Sequence, residues 1–168
     1  MTLTEMEDSL TKVKKALQSF FKKDSDLLYF NVNERSITHK LAEHLQNSFS
    51  EFSELKVDCE YNRKGDDRKS EKVLANNDKV FPDIVVHQRG NNNENRLVIE
   101  TKKKGRSIRR DIEKLQEFTG PLYKYKIGLL FVFDVKNKCL HKILCFRNGS
   151  EITSKAIRDI LKEFRCAE

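Results

Sequence analysis

The sequence predicts an α/β domain in which helices pack on the faces of a mixed β-sheet of about five strands. Three patterns carry that expectation. Two segments repeat apolar residues at three- and four-residue steps, as an amphipathic helix does. Several shorter segments alternate apolar and polar residues, as a half-buried strand does. Between Lys126 and Val135 the chain is apolar at nearly every position, which suits a central strand buried on both faces.

Taken in order, Leu3 to Phe21 places Leu3, Met6, Leu10, Val13, Leu17 and Phe20 on one stripe. That stripe covers the core or pairs with a second subunit. A second helix is expected from Asn33 to about Phe49, capped by Asn33, with Ile37, Leu41 and Leu45 inward and Glu34 near the end of the same face. Leu55 to Tyr61 alternates as a strand. The polar, doubly charged stretch from Asn62 to Lys79 reads as a long connection, either a lid or an insertion. Phe81 to His87 and Arg96 to Lys102 form a hairpin around Gly90-Asn91-Asn92-Asn93. A helix over Ser107 to Phe118 is stopped by Gly120-Pro121, and Cys139 to Phe146 gives a last strand. Asn148-Gly149-Ser150 leads into a closing helix with Ile152, Ile157, Ile160, Leu161 and Phe164 inward. The expected order is α-α-β-β-β-α-β-β-α.

At 168 residues, with 38% hydrophobic and 35% charged positions, the chain reads as one domain over 1–168. An N-terminal helix occupies 1–22, the core 33–133, and a C-terminal strand and helix 139–168. No apolar run approaches the ~20 residues that span a bilayer, and no secretory pattern opens the chain, so no membrane partner and a cytoplasmic location are expected. Cys59, Cys139, Cys145 and Cys166 lack metal-ligand spacing and read as structural thiols rather than a zinc site or disulfide frame. The net charge of +7 favours a polyanionic partner. Lys103, Lys104, Arg106, Arg109 and Arg110 crowd the start of a helix, where cations oppose the macrodipole and an anion would relieve the repulsion.

The feature that carries chemistry is Pro82-Asp83 followed by Glu100-Thr101-Lys102. Side chains alternate along a strand, so Glu100 and Lys102 share a face that Asp83 joins if the two strands form a hairpin. Two carboxylates and a backbone carbonyl, that of Thr101, suffice to hold Mg²⁺, which keeps several waters of its own. The ammonium of Lys102 would orient the attacking water, and Glu34 would act as an auxiliary ligand. Arg35 lies near the predicted mouth as a phosphate contact. His39, His44, His87, His141 and Gln116 read as ordinary surface or structural residues.

Pro82-Asp83 with Glu100-Thr101-Lys102, preceded by a helical acid at Glu34, resembles the signature of the PD-(D/E)xK nuclease superfamily. From Asn33 to about Phe133 the element order is similar to that superfamily's αβββαβ core, a restriction-endonuclease-like fold. Asn33 to His39 and Val57 to Arg63 also resemble segments of small uncharacterised bacterial members. The resemblance implies a Mg²⁺-dependent nuclease, with Mn²⁺ as a substitute and nucleic acid, DNA in particular, as substrate. Asp83 and Glu100 would be the ligands, Lys102 the catalytic base or its organiser, and Glu34 auxiliary. It also implies the possibility of a homodimer, since many such enzymes cut with two sites. The alternative is a non-catalytic nucleic-acid-binding module on the same fold. A third reading makes the Leu3–Phe21 helix a docking element for another protein.

Overall fold

The structure, a computed structural model, describes residues 2–65 and 70–166. Its elements are α1 (Leu3–Lys23), α2 (Asp26–Tyr29), α3 (Glu34–Ser48), β1 (Lys56–Cys59), β2 (Ile84–Gln88), β3 (Asn91–Lys103), α4 (Arg109–Thr119), β4 (Ile127–Asp134), β5 (Cys139–Arg147), β6 (Ser150–Ile152) and α5 (Lys155–Phe164). The six strands form one sheet in sequence order. Neighbours are antiparallel except β3 and β4, which run parallel. A parallel pair needs a crossover, and α4 supplies it across one face of the sheet.

The two faces hold separate cores. Met6, Leu10, Val13, Leu17 and Phe20 of α1 join Ile37, Leu41 and Leu45 of α3, with Leu97 and Ile99 of β3 beneath them. The α1 stripe therefore covers the core, and the apolar surface that suggested a second subunit or a docking partner is spent. The side chain of Leu3 lies outside the described residues. On the opposite face Leu115 and Phe118 of α4 pack on Val85, Val98, Leu130 and Val132. Every residue of β4 is buried, as its apolar run predicts.

The caps agree with the local sequence. Thr2 and Glu5 close a reciprocal capping box at α1, and Asn33 Oδ1 accepts from the Ser36 amide at 2.9 Å to open α3. The closing helix starts later than its apolar pattern suggests. Asn148 and Gly149 take φ of 52° and 75°, a two-residue turn that folds Ser150–Ile152 back on β5 as an additional strand. The short α2 is also additional. The β2–β3 turn is tighter than expected, because Gln88 already pairs with Asn91.

Two expectations are corrected. Cys139 and Cys166 are joined in a disulfide with Cα atoms 5.1 Å apart, rather than standing as two thiols. The bridge follows from a pairing between Leu140 and Arg165 that returns the chain end to β5, a contact separated by too much sequence for spacing to reveal. The described part of the Asn62–Lys79 connection is no open lid. Leu74 and Val80 are buried against the α4 face, and the Val73 amide and carbonyl both bond the Tyr123 hydroxyl, at 2.7 and 2.6 Å. Its middle, 66–69, lies outside the described residues.

Close approach of α4 to the sheet explains Gly128. A Cβ there would stand 2.9 Å from Thr119 Cγ2 and 3.2 Å from Leu115 Cδ2. Thr119 cannot swing away freely, since its hydroxyl donates to the Leu115 carbonyl at 2.8 Å and accepts from the Gly149 amide at 3.1 Å. Gly128→Ala is expected to destabilise the protein by about 1–3 kcal/mol through overpacking, seen as a lower urea midpoint at an unchanged slope.

Candidate active site

Because β2 runs antiparallel to β3, the start of one lies beside the end of the other. Asp83 directly precedes β2, and its Oδ2 accepts from both the amide (2.7 Å) and the hydroxyl (2.9 Å) of Thr101. Extending the Ile84–Ile99 pairing by two residues sets Pro82 opposite Thr101. Proline has no N–H to give, so the ladder donor that would meet the Thr101 carbonyl is missing by chemistry. The same Thr101 hydroxyl lies 2.7 Å from that of Thr38, which ties β3 to α3.

Glu100 points to the other face, under α4, and is 1% exposed. Its Oε2 accepts from Lys114 Nζ at 2.5 Å, and that ammonium also donates to the Phe81 carbonyl at 3.1 Å. Its Oε1 is buried and meets no hydrogen-bond partner among the described residues. Burial drives the Glu100 carboxyl well above its ordinary range, Lys114 pulls it back only in part, and Asp83 adds to the rise.

Lys102 follows on the same face. Its ammonium lies 3.4 Å from Asp111 Oδ1 and 3.6 Å from Glu34 Oε2. Burial alone would lower its pKa, yet Asp111 and Glu34 outweigh that and hold it above the usual range. Lys102 thus rests as a protonated donor. Glu34 also accepts from the Lys103 amide at 3.0 Å, so α3 is bolted to the end of β3 by its first residue. The Asp111 carboxyl is pushed upward by burial against the pull of Lys102 and Lys114.

The structure therefore brings Glu34, Asp83, Glu100, Thr101 and Lys102 to one end of the sheet. Asp111, Lys114 and Thr38 belong to the same cluster and did not stand out in the sequence. A signal for two of them existed: positions 111 and 114 fall three residues apart on the helix face that holds Leu115 and Phe118, where a charge needs a partner. Glu34, Asp83 and Glu100 do not draw together as a three-oxygen cluster. Among the described residues the one close group of three potential metal ligands is Asp134, Cys139 and Cys166. Those two sulfurs are bonded to each other, and Lys104 and Asn137 occupy Asp134.

Two open cavities flank Glu34. One, about 390 Å³, is lined by Asp83, Arg35, Thr38, His39, Cys59 and Glu60. The other, about 560 Å³, is lined by Asn33, Lys102, Lys103, Arg106 and Ser107. The expected phosphate contacts are mostly engaged with acids. Lys104 pairs with Asp134, Arg109 with Glu113, Arg110 with Asp78 and Arg35 with Glu60. Lys103 Nζ donates to the carbonyl and side chain of Asn31. Arg106 forms no ion pair among the described residues. The pairs of Arg35, Arg109 and Arg110, exposed on both sides, are weak and exchange readily for phosphate, whereas Asp134 is buried under Lys104. At α4 the N-cap Ile108 offers no side-chain acceptor, while Asp111 supplies a negative charge in the first turn. His44 and His87 are structural, paired with Asp24 at 2.6 Å and Asp58 at 3.0 Å, and His87 is buried away from Asp83 at the far end of β2.

Among solved structures, this chain is similar to a cryo-EM structure of a DrdV–DNA complex, with a TM-score of 0.52 and 19% sequence identity. The fold is restriction-endonuclease-like. The match covers 91% of this chain and 13% of that one, so the chain spans a small part of the protein it resembles. No family model matches the sequence, and no curated protein does. No helix among the described residues is long and apolar enough to cross a membrane.

A raised carboxyl makes the site a source of instability. From the ordinary 4.5 up to about 8 the unfolded chain releases the Glu100 proton while the folded chain keeps it, so stability contributed below that window is lost as pH rises through it. Glu100→Gln lacks this loss. Its melting temperature is expected to match wild type near pH 4.5 and to exceed it increasingly toward pH 8, measured in EDTA by calorimetry.

Proposed function

We propose that this protein is a metal-dependent nuclease of the PD-(D/E)xK type, hydrolysing phosphodiester bonds in nucleic acid, with DNA as the expected form. The observation that carries the reading is the bare Oε1 of Glu100, a buried carboxyl oxygen without a hydrogen-bond partner among the described residues, in a group whose proton affinity the Asp83 charge raises. An orphaned buried carboxyl oxygen is costly unless a proton or a cation meets it, and a cation that displaces the proton would be favoured there. The DNA in the similar DrdV complex supports nucleic acid as the partner.

Asp83, Glu100 and the Thr101 carbonyl would hold Mg²⁺ or Mn²⁺, with Glu34 auxiliary. When bound, such an ion supplies Lewis acidity toward a phosphoryl oxygen and lowers the pKa of water. The chain's own residues do the rest. Lys102, kept protonated between Asp111 and Glu34, donates rather than accepts a proton, which favours the organiser's role over that of resting general base. Its charge offsets the negative charge that builds on the phosphate. Arg106 and Lys103, on the wall of the larger cavity, are placed to meet the flanking backbone.

One observation favours the binding-only alternative: the cations and carboxylates of the cluster already neutralise one another in pairs. Metal-dependent cutting separates the two. Wild type is expected to cleave plasmid or single-stranded DNA with Mg²⁺ or Mn²⁺ and not in EDTA. Asp83→Ala should abolish cutting, and Lys102→Ala should slow it roughly 10²- to 10³-fold while substrate binding persists. Salt-sensitive binding with intact substrate under every metal would leave the binding module as the function.

A further inference from the structure

Tyr29 and Phe30 are 65% and 69% exposed, the largest exposures among the described large hydrophobic side chains. Fraying does not explain them. The Phe30 amide donates to the Asp26 carbonyl at 2.8 Å, that of Asn31 to Leu28 at 3.0 Å and that of Val32 to Leu27 at 3.2 Å. Leu28 is fully buried, and Leu27 and Val32 pack on the core. The turn is pinned from beneath, and its two aromatic rings are turned outward. Their centroids lie 5.2 Å apart with planes at 73°, edge against face, so one ring can cover at most one face of the other.

Two lysines stand close by. Lys138 Nζ stands 4.9 Å over the Tyr29 ring. Asn31, next in the chain, holds Lys103, which lines the cavity shared by Lys102 and Arg106. An exposed aromatic pair by itself suits many partners. Rings with Lys138 over one of them and Lys103 held by the adjoining Asn31 suit a polyanion that also offers flat apolar faces, which is what an unpaired nucleotide presents. Inside a duplex the bases stack on one another and offer no such face.

We propose that Tyr29 and Phe30 form a stacking platform for an unpaired nucleobase, so that the substrate carries single-stranded nucleic acid beside the phosphate held at the Asp83–Glu100 site. The cutting part of this statement rests on the nuclease reading, whereas the stacking part does not.

The test titrates labelled single-stranded DNA, blunt duplex and duplex with one splayed end into wild type and the Tyr29→Ala/Phe30→Ala variant, in EDTA. The variant is expected to bind the single strand and the splayed duplex about tenfold more weakly, as loss of a base–aromatic stack does, and the blunt duplex unchanged. Because the chain contains no tryptophan, Phe30→Trp gives a single emission signal, expected to be quenched by the single strand and not by the blunt duplex. Equal affinity of variant and wild type for all three ligands overturns the platform. So does a variant that binds all three normally but loses a dimer that wild type forms in sedimentation, an outcome that assigns the rings to a second copy of the chain. A wild type that shows the stacking pattern yet cuts nothing with Mg²⁺ or Mn²⁺ removes the nuclease reading and leaves the platform. Cutting by wild type and variant at equal rates on every substrate does the reverse.

Discussion

A carboxylate placed where the sheet is dry governs this end of the molecule. Glu100 sits on the α4 face of β3, in line with Val98, at a position the pleat assigns to the core. A buried negative charge has to find a positive one or take up a proton. Lys114 answers for one oxygen, and the other is left bare. Had the helix carried leucine at 114, both oxygens would be bare, and removing one partner of a buried pair in this way is strongly destabilising.

From that constraint follows the relation between α4 and β3. Two residues two apart on the strand, Glu100 and Lys102, meet two residues three apart on the helix, Lys114 and Asp111, with signs reversed in each pair. Both spacings select one face of their element, so the helix can sit in only one register over the strand if both pairs are to close. The parallel β3–β4 pairing delivers α4 to that place, and Gly128 lets it lie close to the sheet. Stability and site geometry are thereby set by the same contacts, which is the condition for a preorganised site.

On the other face α3 completes the arrangement. Glu34 bonds the Lys103 amide and Thr38 bonds Thr101, so the helix that packs Ile37 and Leu41 into the core also fixes the edge of the cluster. The turn before it, with Leu28 inward and Tyr29 and Phe30 outward, is held by the same core packing.

Periodicity by itself determined the four longer helices, five of the six strands, the buried central β4 and the hairpin that sets Asp83 against Glu100, because these depend on spacing along a single element or on neighbours joined by a short turn. The acid and base of α4 were visible as charges on an apolar helix face, yet nothing local says which strand residues they meet. That Pro82 faces Thr101 needed the register, and the Cys139–Cys166 bridge needed the path of the chain end. Which cations are already paired with acids, which carboxylate oxygen is bare, and which aromatic rings are left outside were decided only in three dimensions. Charge pairing and burial are properties of surroundings assembled from distant segments, whereas the alternation of side chains is a property of each strand alone.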